Sequence, residues 1–340
     1  MLSLSKHGHP FFSRLLEQLV TKTEPKMAAA IISLVNVSKR FGPTLALDSI
    51  NLAVDRPCIF GVVGPDGAGK TTLLRILVGL LEFDATAASV LGYDIASQTQ
   101  AIKQRLGYVP QTFSLYPDLS VQHNLEFFAD IHAIPRRVFR QRAAELLAIA
   151  QLDEFTTFLA SSLSGGMKQK LALICALLHE PQVLILDEPN NGVDVIARGE
   201  MWTILRHLRD VTIVMSTGYL DEAERCDEVV YLYRGRIRVQ GTPAEVKAQF
   251  PWNAYHLLGD VTPTVITNLH NATWVHRVQV VGETVTMETA LTRSAVQTAL
   301  HDIHGEGLGV ESVLPTLEMV FTELTEQAEQ EAGALPQSLS

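Results

Sequence analysis

The stretch "GPDGAGKTT", Gly64 to Thr72, sets glycines, a lysine and hydroxyls at the spacing G-x-x-x-x-G-K-[ST], with Gly64, Gly69, Lys70 and Thr71 at the defined positions. Residue types in this order suit phosphate. A backbone running through Pro65, Asp66, Gly67, Ala68 and Thr72 can aim N–H groups inward at phosphate oxygens. Lys70 would reach the β- and γ-phosphates, and the Thr71 hydroxyl would ligate Mg²⁺. The plainer alternative is a glycine turn ahead of an ordinary helix. A second stretch, "VLILDEP", ends an apolar run on two carboxylates, Asp187 and Glu188. At the carboxyl end of a buried strand, where open α/β sheets bind ligands, Asp187 suits a metal and Glu188 suits a general base for water. Alone, the pair is also compatible with a solvated strand end. A third stretch, "LSGGMKQK" from Leu163 to Lys170, offers Ser164 as a helix N-cap, with Gly165 and Gly166 permitting close approach to the backbone. That is an anion site at a helix N-terminus, or else a capped structural helix with no ligand.

Positioning these residues requires strands that alternate with helices. "CIFGVV" feeds the glycine loop and "TTLLRILVGLL" follows it with helical spacing. "SVQHNLEFFADIH" opens on Ser120 as an N-cap and sets Val121, Leu125, Phe128 and Ile131 on one face. "RRVFRQRAAELLAIA" and "KLALICALLHEP" read as helices, the second ended by Pro181. "VLIL" and "VTIVM" are continuous apolar runs, as expected of strands covered on both faces of a parallel sheet, so the pattern predicts a doubly wound α/β core. After about Phe250 the runs "AYHLL", "WVHRVQVV" and "TVTMET" alternate like half-exposed strands, and "SAVQTALHDI" and "TLEMVFTEL" read as helices. They predict a smaller α+β unit.

Composition narrows the possibilities. The 340 residues are 47% hydrophobic and 19% charged, enough to bury a sizeable core. The net charge of −10 gives no support for binding nucleic acid, and none is expected as a partner. Cys58, Cys175 and Cys226 are far apart and form neither a metal pattern nor a disulfide framework, which points to a reducing compartment. Apolar runs such as "LALICALL" fall far short of the ~20 residues a spanning helix needs. Near the start, Lys6, His7, His9 and Arg14 interrupt any signal-peptide core, so residues 1–26 are expected to be a mobile extension.

The three motifs in their order resemble the ATP-binding subunit of an ABC transporter, with "LSGGMKQK" as the family signature; the resemblance covers about Ile31 to Phe250. It implies a P-loop NTPase cassette at 27–248 with a helical subdomain at about 112–165. The unit at 249–325, ending in "LPTLEMVFTELT", resembles the accessory domain of ABC-2 type exporters of the drug-efflux and daunorubicin-resistance class, and 326–340 is expected to be a polar tail or linker. "GPDGAGKTT" with "STGYLDEAERC" looks most like the N-terminal half of tandem-cassette members. The resemblance further implies that two cassettes face each other head to tail. Ser164, Gly165, Gly166 and Gln169 would then close on ATP held by the phosphate loop of the opposite copy. The partner cassette is the same chain or a different one, and a separate ABC-2 type permease carries the cargo, which places the subunit in the cytoplasm at the inner face of the membrane.

By the same resemblance, Phe41 matches the aromatic that stacks on adenine, with an unrelated core phenylalanine as the alternative. Gln111 in "LGYVPQ" matches the glutamine at the nucleotide and metal site that links it to the helical subdomain and so to the membrane partner, with an ordinary surface glutamine as the alternative. Asp194 in "NNGVD" matches a contact to the opposite cassette, although Val195 replaces the usual proline. ATP and Mg²⁺ are the implied ligands, with Thr71, Asp187 and Gln111 at the metal and Lys70 and Glu188 in catalysis. One position departs from the pattern: Gly218 stands where the family carries a histidine that contacts the γ-phosphate. Two other functions stay open on these residues, a soluble ABC ATPase acting on ribosomes and a nucleotide-dependent clamp of low turnover.

Overall fold

The computed structural model describes residues 30–112, 114–304 and 307–334; the expected extension at 1–26 lies outside them. The chain divides into two compact units between Gln240 and Gly241.

In the first unit, β1 (Ile32–Phe41) and β2 (Thr44–Val54) form a hairpin, and β3 (Ile59–Val63) leads through the glycine loop into α1 (Lys70–Leu77). Then come β4 (Ala87–Val90), β5 (Tyr93–Asp94), α2 (Thr99–Lys103) and β6 (Leu106–Val109). The predicted helical region holds α3 (Val121–Ile131), α4 (Arg136–Ala150) and single 3-10 turns at Asp153–Phe155 and Ala160–Ser162. The chain returns through α5 (Gly165–Leu177), β7 (Val183–Asp187), α6 (Val195–His207), β8 (Thr212–Thr217), α7 (Leu220–Ala223), β9 (Glu228–Tyr233) and β10 (Arg236–Gly241).

Two sheets result. The larger has the order β10-β9-β3-β8-β7-β6, and its contacts from β9 across to β6 are parallel. Every residue of β3, β7 and β8 is buried, which is why the apolar runs within these strands do not alternate with polar residues. Pairing of Val63 with Thr217 and of Asp187 with Ser216 brings the carboxyl ends of the three strands to one edge. The second sheet, β2-β1-β4-β5, is antiparallel and was not foreseen as a sheet. Its legibility is poor for two reasons: β1 slips register three times against β2, and β5 is only two residues long. Both sheets share a core that includes Phe60, Val62, Leu73, Leu74 and Ile185.

One face differs from its prediction. In α3 the buried residues are Val121, Asn124, Leu125 and Ala129, while Ile131 is 59% exposed. Asn124 takes an interior place because its side chain accepts from the Tyr116 N–H and donates to the carbonyls of Tyr116, Leu119 and Ser120.

The second unit contains α8 (Pro243–Ala248), β11 (Asn253–Leu258), α9 (Pro263–Asn271), β12 (Val275–Val281), β13 (Thr284–Thr289), α10 (Arg293–His304), β14 (Gly309–Val313) and α11 (Leu317–Ala334). Its antiparallel sheet has the order β12-β13-β11-β14 over a core that includes Leu257, Leu269, Met287 and Leu300. The unit starts earlier than expected because α8, closed by a capping box between Thr242 and Glu245, packs on α11. The tail expected from residue 326 is helical as far as Ala334. Its Glu, Gln and Ala residues are good helix formers, and Ala328 is buried. The Arg277 guanidinium ties β12 to β13 and α11 through Glu288, Glu323 and Glu326.

Candidate active site

The glycine loop is shaped by crowding. A Cβ on Gly64 would lie 2.2 Å from the Leu232 carbonyl oxygen. Gly69 takes φ 108° and would place a Cβ 2.7 Å from the Ala46 oxygen, so neither position accepts a side chain. Gly69 also caps α1 without a side chain, which leaves the first-turn N–H groups of the helix free for an anion. Pro65, Asp66 and Gly67 are exposed on the outer arc; Ala68 is buried, and Thr72 is half-buried on α1.

Lys70 is 4% exposed. Its Nζ donates to the carbonyls of Gly64 at 2.8 Å and Pro65 at 3.1 Å, and lies 3.2 Å from Glu188 Oε1. A buried ammonium held this way needs an anionic neighbour. Facing it, the Thr71 hydroxyl donates to Asp187 Oδ1 at 3.0 Å, and Ser216 donates to the same oxygen at 2.7 Å. The second oxygen, Asp187 Oδ2, is buried with no hydrogen-bond partner. An unsatisfied buried carboxylate oxygen beside a threonine hydroxyl is a donor set that fits a hard divalent cation such as Mg²⁺.

Glu188 follows at the strand end in a left-handed conformation, φ 47°, which is costly for a residue with a Cβ. The surroundings hold it there. Its N–H donates to Ser216 Oγ at 2.9 Å, while Oε2 accepts from Gln111 Nε2 at 2.7 Å and from Asn191 Nδ2 at 3.2 Å. Lys70, Thr71, Asp187, Glu188 and Gln111 are therefore one connected group.

The other candidates lie apart from this group. Phe41 ends β1, 47% exposed, with the Lys39 ammonium 5.1 Å from its ring centroid. Ser164 caps α5 by accepting from the Met167 N–H at 3.3 Å. Ser164 and Gly165 are exposed and Gln169 is half-buried. Gly166 answers a different demand from open approach: it is buried, and a Cβ there would meet Ala197 Cβ at 2.5 Å, so its lack of a side chain lets α5 and α6 touch. Asp194 Oδ1 caps α6, accepting from Ile196 N at 3.0 Å and Ala197 N at 2.9 Å. The cap survives the loss of proline because Val195 occupies the first helical position, where either residue is tolerated.

Residues 47–191 match the family described as ABC transporter. The Nod factor export ATP-binding protein I of Rhizobium sp. (strain N33) is 34% identical over 303 residues, which cover 88% of this chain and 98% of that protein. The chain belongs to the ABC transporter ATP-binding family. The cassette is also 45% identical over 222 residues to the probable multidrug ABC transporter ATP-binding protein YbhF of Escherichia coli (strain K12); this covers 64% of the chain but only 38% of that longer relative. A dimeric structure of a post-hydrolysis state of the cassette MJ0796 bound to ADP and Pi superposes with a TM-score of 0.57 at 26% identity, covering 62% of this chain and 98% of that one. The fold is that of a P-loop ABC ATPase, and among the described residues no helix is long and apolar enough to cross a membrane.

Within this ABC cassette, Ser216 and Asn191 escaped the motif reading although both hold Glu188 directly. The available signal for Ser216 was a hydroxyl closing the apolar run "VTIVMS", parallel to the strand that ends on Asp187. Asn191 carried no signal beyond its closeness to Glu188. Gly218 is exposed, and a Cβ on it would meet nothing within 4 Å. The neighbouring Tyr219 ring packs under the Arg198 guanidinium at 4.4 Å.

Proposed function

We propose that this chain is the ATP-hydrolysing subunit of an ABC-2 type exporter of the drug-efflux class and works as one half of a cassette pair. The observation that carries the reading is the contrast between a connected phosphate and carboxylate group and an exposed signature. Ser164 and Gly165 are exposed, the adjoining Gly166 meets Ala197 of α6, and Val195 and Ile196, the first two residues of α6, are 80% and 77% exposed. Two large apolar side chains beside a helix N-terminus suit a face that another cassette covers. Relatives described as multidrug and Nod factor export ATP-binding proteins support export as the task.

In this mechanism Lys70 and the free N–H groups of α1 hold the β- and γ-phosphates of ATP, and Phe41 stacks on the adenine. Thr71, Asp187 and Gln111 would hold Mg²⁺, which when bound neutralises phosphate charge. Glu188, released from Lys70 once phosphate takes its place, accepts a proton from the attacking water. Gln111 and Asn191 aim its carboxylate. Ser164, Gly165 and Gln169 of one cassette close on the γ-phosphate held by the other, with Asp194 at the same seam, and a separate permease at the inner face of the membrane carries the cargo.

Affinity purification of the membrane-bound chain tests this reading. A polytopic membrane subunit should co-purify and raise ATP turnover; ribosomes as the main partner would support the soluble-ATPase alternative instead. The low-turnover clamp is favoured by one observation, the missing side chain at Gly218.

A further inference from the structure

Glu222 is a buried carboxylate near the site that has no part in the phosphate or metal chemistry described above. It lies on α7, 1% exposed, two residues into the helix that follows the Gly218 loop. Its Oε1 accepts from Asn190 Nδ2 at 2.8 Å, and its Oε2 accepts from the Thr217 hydroxyl at 2.6 Å. The Arg198 Nε of α6 is 3.9 Å from Oε1 and makes no hydrogen bond of its own. Thr217 Oγ1 also accepts from the Tyr219 N–H at 2.9 Å.

The placement of these donors is informative. Asn190 lies two residues beyond Glu188, and Thr217 lies between Ser216 and Gly218. Ser216 already ties the ends of β7 and β8 through Asp187 and the Glu188 N–H. Glu222 makes a second tie one step further out, joining the loop after Glu188 to the loop that contains Gly218. Gly218 has no side chain and open space around it, and the hydrogen bond from the Tyr219 N–H to Thr217 Oγ1 spans it. A buried carboxylate with one distant cation is a poor way to add stability, because desolvation offsets most of the attraction. It is an effective way to fix two loops in one geometry, because each donor has a single acceptor to satisfy.

We propose that Glu222 is a positioning residue for ATP hydrolysis: it locks the Glu188–Asn191 loop and the Thr217–Tyr219 loop to each other so that the general base and the γ-phosphate side of the site stay in register. It rests on the ATPase reading and not on the exported cargo. Glu222→Gln tests it, since the amide keeps the shape but can accept only one of the two side-chain donors. MgATP affinity should stay within about two-fold, because Lys70 and its loop are untouched, while the single-turnover rate should fall on the order of 10- to 100-fold, the scale of a misplaced reacting group. Backbone amides at 188–193 and 216–220 should exchange hydrogen faster in the ATP-bound state. Thr217→Val should give a loss of the same kind that does not multiply with Glu222→Gln, and it carries the test should the Gln variant fail to fold. An unchanged rate with unchanged exchange, or losses of rate and MgATP affinity in equal proportion, would overturn the proposal. A wild-type chain with no turnover, in which Glu222→Gln still speeds exchange in both loops, would instead count against the ATPase reading and leave the lock standing.

Discussion

The phosphate side and the signature side of the cassette are finished to different degrees. Lys70, Thr71, Asp187, Glu188, Gln111, Asn191 and Ser216 satisfy one another over distances of 2.7–3.2 Å, and most of these groups are buried or half-buried. Ser164 and Gly165 are exposed, with the Ser164 hydroxyl capping the first turn of its own helix, and Val195 and Ile196 at the start of α6 are exposed as well. On the proposed cassette pairing, the phosphate side carries this chain's own chemistry and the signature side serves its partner's. Substitutions on the two sides should therefore fail differently.

The largest expected effect is on the phosphate side. Lys70→Ala removes the buried counter-charge of the phosphates and should abolish ATP binding, whereas Glu188→Gln should keep binding and accumulate an ATP-loaded dimer visible by gel filtration. Equal nucleotide affinity for wild type and Lys70→Ala would break the assignment of that loop. Next is Ser164→Arg, which fills the exposed cap with a long cation. It should stop hydrolysis at the partner's site while ATP still binds at Lys70, measured by equilibrium binding beside steady-state turnover.

Gly218→His sharpens the comparison from inside the finished half. There is room for the side chain, and the resemblance implies a γ-phosphate contact at this position. One donor to a developing charge is worth about 10²–10³ in rate, so turnover of the isolated chain should rise toward that bound. A wild-type rate already matching a full two-site cassette pair, with no gain from histidine, would show that the contact has been replaced.

Smaller effects are expected where a residue serves local structure. Asp194→Ala removes two cap bonds and should cost about 1 kcal/mol in denaturant unfolding, with ATP affinity unchanged. The smallest effect concerns a group in neither half. His179 stacks on His132 at 3.8 Å, and burial, with His132 beside it, pushes its pKa down to about 4. It stays neutral in the fold while the unfolded chain takes up a proton below about 6.5, so stability is lost as pH falls from there toward 4. His179→Gln should flatten that slope in thermal melts and leave nucleotide affinity untouched.

Much of this protein was legible in the order of its residues. The glycine loop, the Asp187–Glu188 strand end, the Ser164 cap and the alternation of strands with helices are local patterns, because a cap, a tight turn or a fully buried strand imposes its demand within a few positions. The resemblance of those motifs carried the family. What local pattern could not reach was anything made by chain segments far apart in sequence. The bond from Ser216 to Asp187, the Glu222 tie between Asn190 and Thr217, and the contact that makes Gly166 a packing glycine each join residues 29 or more positions apart, or nearby residues through a loop whose turn only the sheet defines. Asn124 entered the core and Ile131 left it because neighbouring carbonyls, and not helical spacing, chose the buried face of α3. Polar satisfaction is a property of the packed chain, so the residues that aim the chemistry came into view only when tertiary structure set the parallel strands side by side.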